Sequence, residues 1–304
     1  MNGSLVARAV KPLVRARMER RPRDGDDEAA LLAARAALDE ICGRMVPPPG
    51  VRFIDEPTAG VPCERIIPTT ADSSRCILYL HGGAYMLGSR VSHRGLAAHL
   101  AHAVGVEALL AEYRLAPEHA FPAAIDDALA VYESLLERHD PGSLLVAGDS
   151  AGGGLAIALG VRLRDEGLPL PAGIAGISPW TDLAGTGPSL DGNRATELML
   201  DPDRIPEIAD YYHPDHPAEH PWVSPLYADL AGLPPLLLQV GDEEILLDDS
   251  TRLASNAEAL GLDVSLRVWP AMFHVWHMLA PVMPESRRAI NEFARWGMRV
   301  LGEA

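Results

Sequence analysis

Cysteine is scarce in this chain, and the features of a secreted protein are missing from its N-terminal region. Only three cysteines occur among 304 residues, Cys42, Cys63 and Cys76, and none has the spacing of a metal-binding or redox pair. Basic residues interrupt the apolar run that a signal peptide would need in the N-terminal region, and no apolar run elsewhere is long enough to span a membrane. These absences predict a soluble protein of a reducing, cytoplasmic compartment without stable membrane association.

Basic residues are also few relative to acidic ones. The chain has 26 lysines and arginines against 42 aspartates and glutamates, which gives a formal net charge of −16. No block of lysine and arginine forms a basic face, so neither nucleic acid nor an anionic membrane surface is an expected partner. The acidity favours solubility and works mildly against anionic substrates.

What the chain does contain is an alternation of apolar strands and amphipathic helices from about residue 50 onward, with 48% hydrophobic residues. This alternation predicts an α/β fold in which helices cover both faces of a mostly parallel sheet. Helical periodicity marks residues 123–138, 151–164, 249–260 and 285–301. The sequence predicts eight strands, at 51–54, 63–67, 76–80, 106–112, 144–147, 173–178, 235–240 and 264–268.

Two segments fall outside this alternation and predict a cap over the carboxyl ends of the strands. Residues 1–45 carry a helical pattern over 29–45, and residues 184–222 are rich in proline, glycine, histidine and aspartate. Such insertions usually cover a site. We expect a catalytic domain of residues 46–183 and 223–304, with the cap built from 1–45 and 184–222. Leu5–Met18, which is basic and partly apolar, is read as a cap helix, with a membrane-surface helix as the alternative.

A strand-turn-helix pattern surrounds Ser150. The apolar residues 144–147 run directly into Gly-Asp-Ser-Ala-Gly-Gly at 148–153, and a helical stretch of small residues follows at once. This context is typical of a nucleophile elbow, a turn so tight that glycine must flank the serine on both sides. The turn exposes the Ser150 hydroxyl at the top of a sheet, where a base can reach it.

The strand at 76–80 ends in His-Gly-Gly-Ala-Tyr at 81–85. Attack on an ester produces a tetrahedral oxyanion that needs fixed N–H donors about 3 Å away. Consecutive glycines let backbone amides approach that oxygen, so we predict that Gly82 and Gly83 donate to it together with Ala151. An ordinary glycine-rich turn is the alternative for such a pair of glycines.

A serine nucleophile needs a base that is itself oriented by an acid, and in this fold the chain order is serine, acid, histidine. His274 follows the last predicted strand closely and is the expected base, with His277 as the alternative. The acid is expected just beyond the strand at 235–240, where spacing alone leaves Asp242 and Glu244 open.

These motifs together resemble those of the hormone-sensitive-lipase-like esterases, a family of α/β-hydrolases. The resemblance covers nearly the whole chain and rests on 81–85, 113–118 with 121–123, 148–153, 178–182 and 273–276. It implies an α/β-hydrolase fold with a helical cap, compact or short-chain acyl esters as substrates, and no cofactor. It places the acid on Glu244, where most members carry aspartate, and leaves Asp242 as the fallback. Ala84 stands where the family usually has a third glycine.

Aromatic and apolar residues of the cap are candidates for the substrate pocket, although they can equally pack the cap onto the sheet. These pocket candidates, together with two residues beside the motifs, are Tyr85, Asp149, Met199, Tyr211, Tyr212 and Trp222. The histidine-rich stretch 213–221 invites a metal interpretation. Its prolines preclude one regular helix that presents the histidines together, so we expect a polar surface loop and no metal.

The sequence therefore predicts a serine carboxylic-ester hydrolase that acts through an acyl-enzyme. A lactone hydrolase would use the same machinery, and a non-catalytic ligand receptor on this scaffold is the alternative of a different class. A receptor is expected to lack the base, so the presence of His274 argues against it. The last predicted strand, 264–268, is expected at the edge of the sheet, where it predicts pairing with a second copy as a homodimer.

Overall fold

The sheet of the protein has eight strands, as predicted. The computed structural model describes residues 4–18 and 28–302, so parts of the predicted N-terminal cap segment, residues 1–3 and 19–27, lie outside the described residues. The strands are β1 (Val51–Asp55), β2 (Cys63–Pro68), β3 (Asp72–Leu80), β4 (Val106–Ala111), β5 (Leu144–Asp149), β6 (Gly173–Ile177), β7 (Leu236–Gly241) and β8 (Val264–Trp269).

The strand order is β1-β2-β4-β3-β5-β6-β7-β8. The pairs β1–β2 and β2–β4 are antiparallel, and all pairs from β4 to β8 are parallel. The mostly parallel sheet and the α/β-hydrolase fold predicted from the sequence are thereby confirmed. Strand β8 lies at one edge of the sheet, where the sequence placed it.

Helices cover both faces of the sheet because its central strands are apolar on both sides. The helices are α1 (Leu5–Met18), α2 (Glu28–Cys42), α3 (Arg90–Val104), α4 (Ala123–Leu136), α5 (Ala151–Asp165), α6 (Ser189–Gly192), α7 (Ile205–Tyr212), α8 (Leu247–Ala259) and α9 (Pro284–Val300). Ile77 and Tyr79 of β3 belong to the apolar core with α3 and α9, whereas Leu78 and Leu80 belong to the core with α4, α5 and α8.

Several hydrogen bonds and ion pairs tie helix α1 to distant parts of the chain, and two of these contacts are to α9 and to the loop after β7. The backbone N–H and the hydroxyl of Ser4 donate to the carboxylate of Glu285 at the start of α9. Lys11 pairs with Glu243 at 2.6 Å. Among the helices of the described ranges, none is both long and apolar enough to cross a lipid bilayer.

Candidate active site

Ser150 lies in the turn between β5 and α5, with backbone angles φ 53° and ψ −123°. Glycine is required on both sides because the turn presses against neighbouring backbone. A Cβ on Gly148 would lie 2.2 Å from the carbonyl oxygen of Gly152, and one on Gly152 would lie 2.1 Å from that of Leu80. This is the geometry of the predicted nucleophile elbow, and it leaves the Ser150 side chain at the carboxyl end of the sheet.

The loops after β7 and β8 bring an acid and a histidine to Ser150. His274 Nε2 lies 2.9 Å from Ser150 Oγ, and His274 Nδ1 lies 2.9 Å from Glu244 Oε2. All three side chains are buried, Glu244 completely. Three distant parts of the sequence therefore form one continuous chain of hydrogen bonds.

Three donors converge on the Glu244 carboxylate. Besides His274, the backbone N–H of Gly241 and the hydroxyl of Ser178 donate to Oε1, at 2.6 and 2.8 Å. Burial disfavours a charged imidazole, but the hydrogen bond and the negative charge of Glu244 outweigh it, so the pKa of His274 lies above its ordinary value. Burial also raises the pKa of Glu244, against the opposing hydrogen bond and charge of His274.

The alternative acid and base lie elsewhere. Asp242 Oδ1 accepts the backbone N–H of Ala271 at 2.6 Å and so holds the loop after β8. His277 Nε2 lies 3.0 Å from the side-chain oxygen of Gln239. Neither residue contacts Ser150 through a hydrogen bond, whereas Glu244 and His274 are joined to it in one hydrogen-bonded chain.

The glycine loop after β3 requires a correction to the predicted oxyanion donors. The backbone N–H of Gly82 donates to Asp149 Oδ1 at 3.2 Å, so it is not free for a substrate oxygen. Within the part of the chain that is described, the amides of Gly83, Ala84 and Ala151 donate to no other group. Gly83 and Ala84 also line the cavity at Ser150, whereas Gly82 does not.

Asp149 anchors this loop from below. Its carboxylate accepts the Tyr79 hydroxyl at 2.7 Å as well as the Gly82 amide, and it lies 3.3 Å from His93 Nε2. Neither His93 nor the Ser178 hydroxyl was assigned a role from the sequence. Ser178 stands in one of the family motifs, which was the available signal, but nothing in the sequence around His93 marked it.

A cavity of about 590 Å³ opens onto Ser150 and His274. Its lining is mainly apolar and comes largely from α2 and from residues 194–208, with smaller contributions from the loops after β3 and β8. Representative lining residues are Leu31, Leu38, Met86, Leu198, Ile205 and Met278. Such a lining suits an uncharged organic substrate better than a strongly hydrated one.

Two of the predicted pocket residues line this cavity and four do not. Met199 and Asp149 are in its wall. Tyr85 and Tyr212 instead stack on each other in the core, with ring centroids 3.7 Å apart. Trp222 packs beside His220 and Arg162 outside the cavity, and Tyr211 packs against the core. The alternative, that aromatic residues of the inserted segment 184–222 pack it against the rest of the chain, fits Tyr211, Tyr212 and Trp222.

The histidine-rich stretch 213–221 packs through rings and backbone contacts. His213 Nδ1 lies 2.9 Å from the carbonyl oxygen of His216, and His220 Nδ1 accepts the backbone N–H of Trp222. The rings of His216 and His220 pack against Phe121. Among the residues placed by the structure, no group of three histidine, cysteine, aspartate or glutamate side chains is arranged to hold a metal ion.

Comparison with known proteins identifies the family. Residues 77–278 match a family model described as the alpha/beta hydrolase fold. An acetyl-hydrolase of Streptomyces hygroscopicus is 46% identical over 270 residues, which cover 88% of this chain and 89% of the relative. An esterase of Acinetobacter venetianus is 36% identical over 266 residues, which cover 87% of this chain and 88% of the relative.

Solved structures agree with these relatives. The structure of an esterase from the bacterial hormone-sensitive lipase family has a TM-score of 0.93 and 39% identity. The match covers 99% of this chain and 100% of that esterase. The structure of EstE5 soaked with p-nitrophenyl butyrate has a TM-score of 0.91 and 36% identity, and the match covers 98% of this chain and 99% of that chain. The chain belongs to the alpha/beta hydrolase fold family and, within it, to the hormone-sensitive-lipase-like esterases. This confirms the resemblance inferred from the motifs, and with it the expectation of an enzyme of the carboxylesterase type.

Proposed function

We propose that the protein is a serine carboxylic-ester hydrolase in which Ser150 is the nucleophile, His274 the general base and Glu244 the acid that orients it. The observation that carries the proposal is the unbroken hydrogen-bond chain from Ser150 Oγ through both nitrogens of His274 to Glu244. That arrangement removes the proton of a hydroxyl that is otherwise a poor nucleophile at neutral pH.

In the proposed mechanism, Ser150 Oγ attacks the acyl carbon while His274 Nε2 takes its proton. Amides of Gly83, Ala84 and Ala151 hold the resulting oxyanion, with Ala84 replacing Gly82 among the donors predicted from the sequence. His274 returns the proton to the leaving alcohol, which leaves an acyl group on Ser150. A water molecule, deprotonated in turn by His274, then releases the carboxylic acid and restores the serine.

We also propose the division into catalytic domain and cap. Residues of α2 and of 194–208 line the cavity opposite Ser150, which supports a cap built from segments 1–45 and 184–222. Compact acyl esters are the proposed substrates, since relatives are an acetyl-hydrolase and an esterase soaked with p-nitrophenyl butyrate. The same geometry opens cyclic esters, so linear esters and lactones belong in one substrate panel.

The experiment compares the wild type with Ser150→Ala on p-nitrophenyl acetate, butyrate and laurate. We expect the wild type to favour the two shorter esters and the variant to lose all but about 0.1% of the rate, because the nucleophile is gone. Ser255→Ala, on the exposed face of α8, is the matched control and should keep wild-type rates. A fluorophosphonate probe should label the wild type and the control but not Ser150→Ala. A Ser150→Ala protein that is active after removal of background esterases would contradict the proposal.

A further inference from the structure

The loop that carries Glu244 is held from outside by the first part of the inserted segment. Asn193 Nδ2 donates to the carbonyl oxygens of Asp242 and Glu244, at 3.0 and 2.7 Å. The hydroxyl of Thr196 is shared between the carbonyl oxygens of residue 243, at 3.1 Å, and Asn193, at 3.0 Å. Ser189 Oγ donates to the carbonyl oxygen of residue 245 at 2.7 Å. Four consecutive carbonyls of one loop thus accept hydrogen bonds from side chains of one short segment.

Glu197 completes this arrangement with a buried carboxylate. Its Oε2 accepts the backbone N–H of Ile245 at 3.0 Å, directly after the acid. Its Oε1 accepts the backbone N–H groups of Leu198 and Met199 at 2.8 Å and of Leu200 at 3.3 Å. A carboxylate with four amide donors in a buried site is firmly fixed in place. We call Ser189, Asn193, Thr196 and Glu197 the acid-loop clamp.

The same segment forms part of the cavity wall. Residues 194, 195 and 197–202 line the cavity next to Ser150 and His274. Glu197 binds the backbone amides of residues 198–200, and these three residues line the cavity. The wall of the substrate cavity and the loop of the triad acid are therefore joined through one carboxylate and one asparagine.

We propose that Asn193 and Glu197 are positioning residues that hold Glu244 in contact with His274, so that the inserted segment aligns the triad as well as covering the site. The inference rests on the proposed function of Ser150, His274 and Glu244. Glutamate has one more rotatable bond than aspartate, so its carboxylate keeps its place only if the backbone beneath it is fixed. A shift of about 1 Å in such a group costs roughly 100-fold in rate.

The charges around His274 set its pKa, which the pH profile of the enzyme reports. This measurement separates a loss of triad alignment from a loss of folded protein. Glu244 in the loop after β7 contacts the imidazole, and the negative charges of Glu197 in the inserted segment and Asp149 at the end of β5 also act on it. Burial lowers the pKa of His274, and these carboxylates raise it, Glu244 the most. His93 packs beside Asp149, and Lys11 of α1 neutralises Glu243 on the acid loop.

The experiment uses Asn193→Ala and Glu197→Gln in the full chain, with Glu244→Gln for comparison. Asn256→Ala is the matched control, because Asn256 also donates to a backbone carbonyl, that of Leu226, and this hydrogen bond involves neither the loop of Glu244 nor the triad. For each protein, active sites are counted with a fluorophosphonate, and kcat, KM and the pH profile of kcat/KM are measured with p-nitrophenyl butyrate.

We expect both clamp variants to lose about 10-fold to 100-fold in kcat per labelled site, with KM within about twofold of wild type. The acidic limb of the pH profile should move to lower pH, as in Glu244→Gln. In Asn193→Ala the Glu244 charge moves away from His274, and in Glu197→Gln a neighbouring charge is removed. Asn256→Ala should show neither change.

A wild-type kcat per labelled site in both variants would overturn the inference and leave the clamp as a folding element, even if the acidic limb moves in Glu197→Gln, because that variant removes a charge from beside His274 in any case. If Asn193→Ala fails to fold, Glu197→Gln, which keeps the shape of the side chain, decides the question. These outcomes are separate from the proposed function, which fails only if Ser150→Ala remains active.

Discussion

Ser150 holds a backbone conformation that residues other than glycine rarely adopt, with φ 53° and ψ −123°. Such conformations cost about 1 to 3 kcal/mol and persist only where the surroundings enforce them. Here the conformation is maintained because Gly148 and Gly152 pack closely against the backbone of β3 and of the loop after it. The reactive position of the hydroxyl therefore depends on residues that have no side chain.

This dependence predicts the effect of Gly152→Ala. The new Cβ would lie 2.1 Å from the carbonyl oxygen of Leu80 and 2.3 Å from that of His81, so the elbow must move away from β3. We expect a loss of about 1 to 3 kcal/mol in the free energy of unfolding by urea and a fall in kcat.

Gly142→Ala is the control, because a Cβ there has no atom within 4 Å and φ is not positive. It should unfold and turn over substrate like the wild type. Equal stability and kcat in Gly152→Ala and Gly142→Ala would show that the elbow tolerates a displacement and would contradict the argument.

Single residues also show how far sequence reasoning extends at the site. The proximity of Ser150, Glu244 and His274 could be predicted because motifs and chain order carry these residues. The sequence could not show that Gly82 is unsuited as an oxyanion donor. Its amide donates to the carboxylate of Asp149, and this contact depends on packing between two loops. Tyr85 was misplaced for a similar reason, because an aromatic ring beside a motif can stack in the core or face a cavity.

Among the described helices outside the proposed cap, α3 is the one that the sequence pattern did not predict. It runs from Arg90 to Val104. Its buried face includes Leu96, Leu100 and Val104, but serine, histidine, glycine and alanine occupy the other buried positions and weaken the apolar stripe in the sequence. Its ends carried the available signal. Ser89 and Ser92 form a capping box at the start, and Gly105 adopts a left-handed conformation with φ 83° at the end.

The cap of α3 predicts the effect of Ser89→Ala. Ser89 Oγ accepts the backbone N–H groups of Val91 and Ser92, at 3.0 and 3.2 Å, and contacts the Asp39 carboxylate of α2. Removal of this hydroxyl should lower the free energy of unfolding by about 1 kcal/mol. Urea unfolding followed by circular dichroism is the measurement.

Ser255→Ala serves as the control for this variant as well. Ser255 is exposed on α8, so its replacement should leave stability unchanged or raise it slightly, since alanine favours a helix interior. A Ser89→Ala protein as stable as Ser255→Ala would mean that the cap of α3 contributes nothing measurable.

At the scale of the whole molecule, the open edge of the sheet and the net charge act in opposite directions. Strand β8 pairs with β7 on one side, and none of its six residues is fully buried. An exposed strand edge favours pairing with another chain. A formal charge of −16 on each copy opposes that pairing by electrostatic repulsion.

The balance predicts a homodimer through β8 that tightens as salt is added. The Debye length shortens from about 30 Å at 0.01 M to about 8 Å at 0.15 M ionic strength, so repulsion between the acidic copies weakens. Light scattering at micromolar concentration should give twice the chain mass of 32.6 kDa at the higher salt.

Val268→Lys changes an exposed position of β8. It should shift the protein toward the monomer, because dimerisation would then remove water from the added ammonium groups and bring these like charges together at the interface. Val46→Lys, exposed before β1 and away from β8, should remain dimeric. A monomeric mass at every salt concentration would refute pairing through this edge.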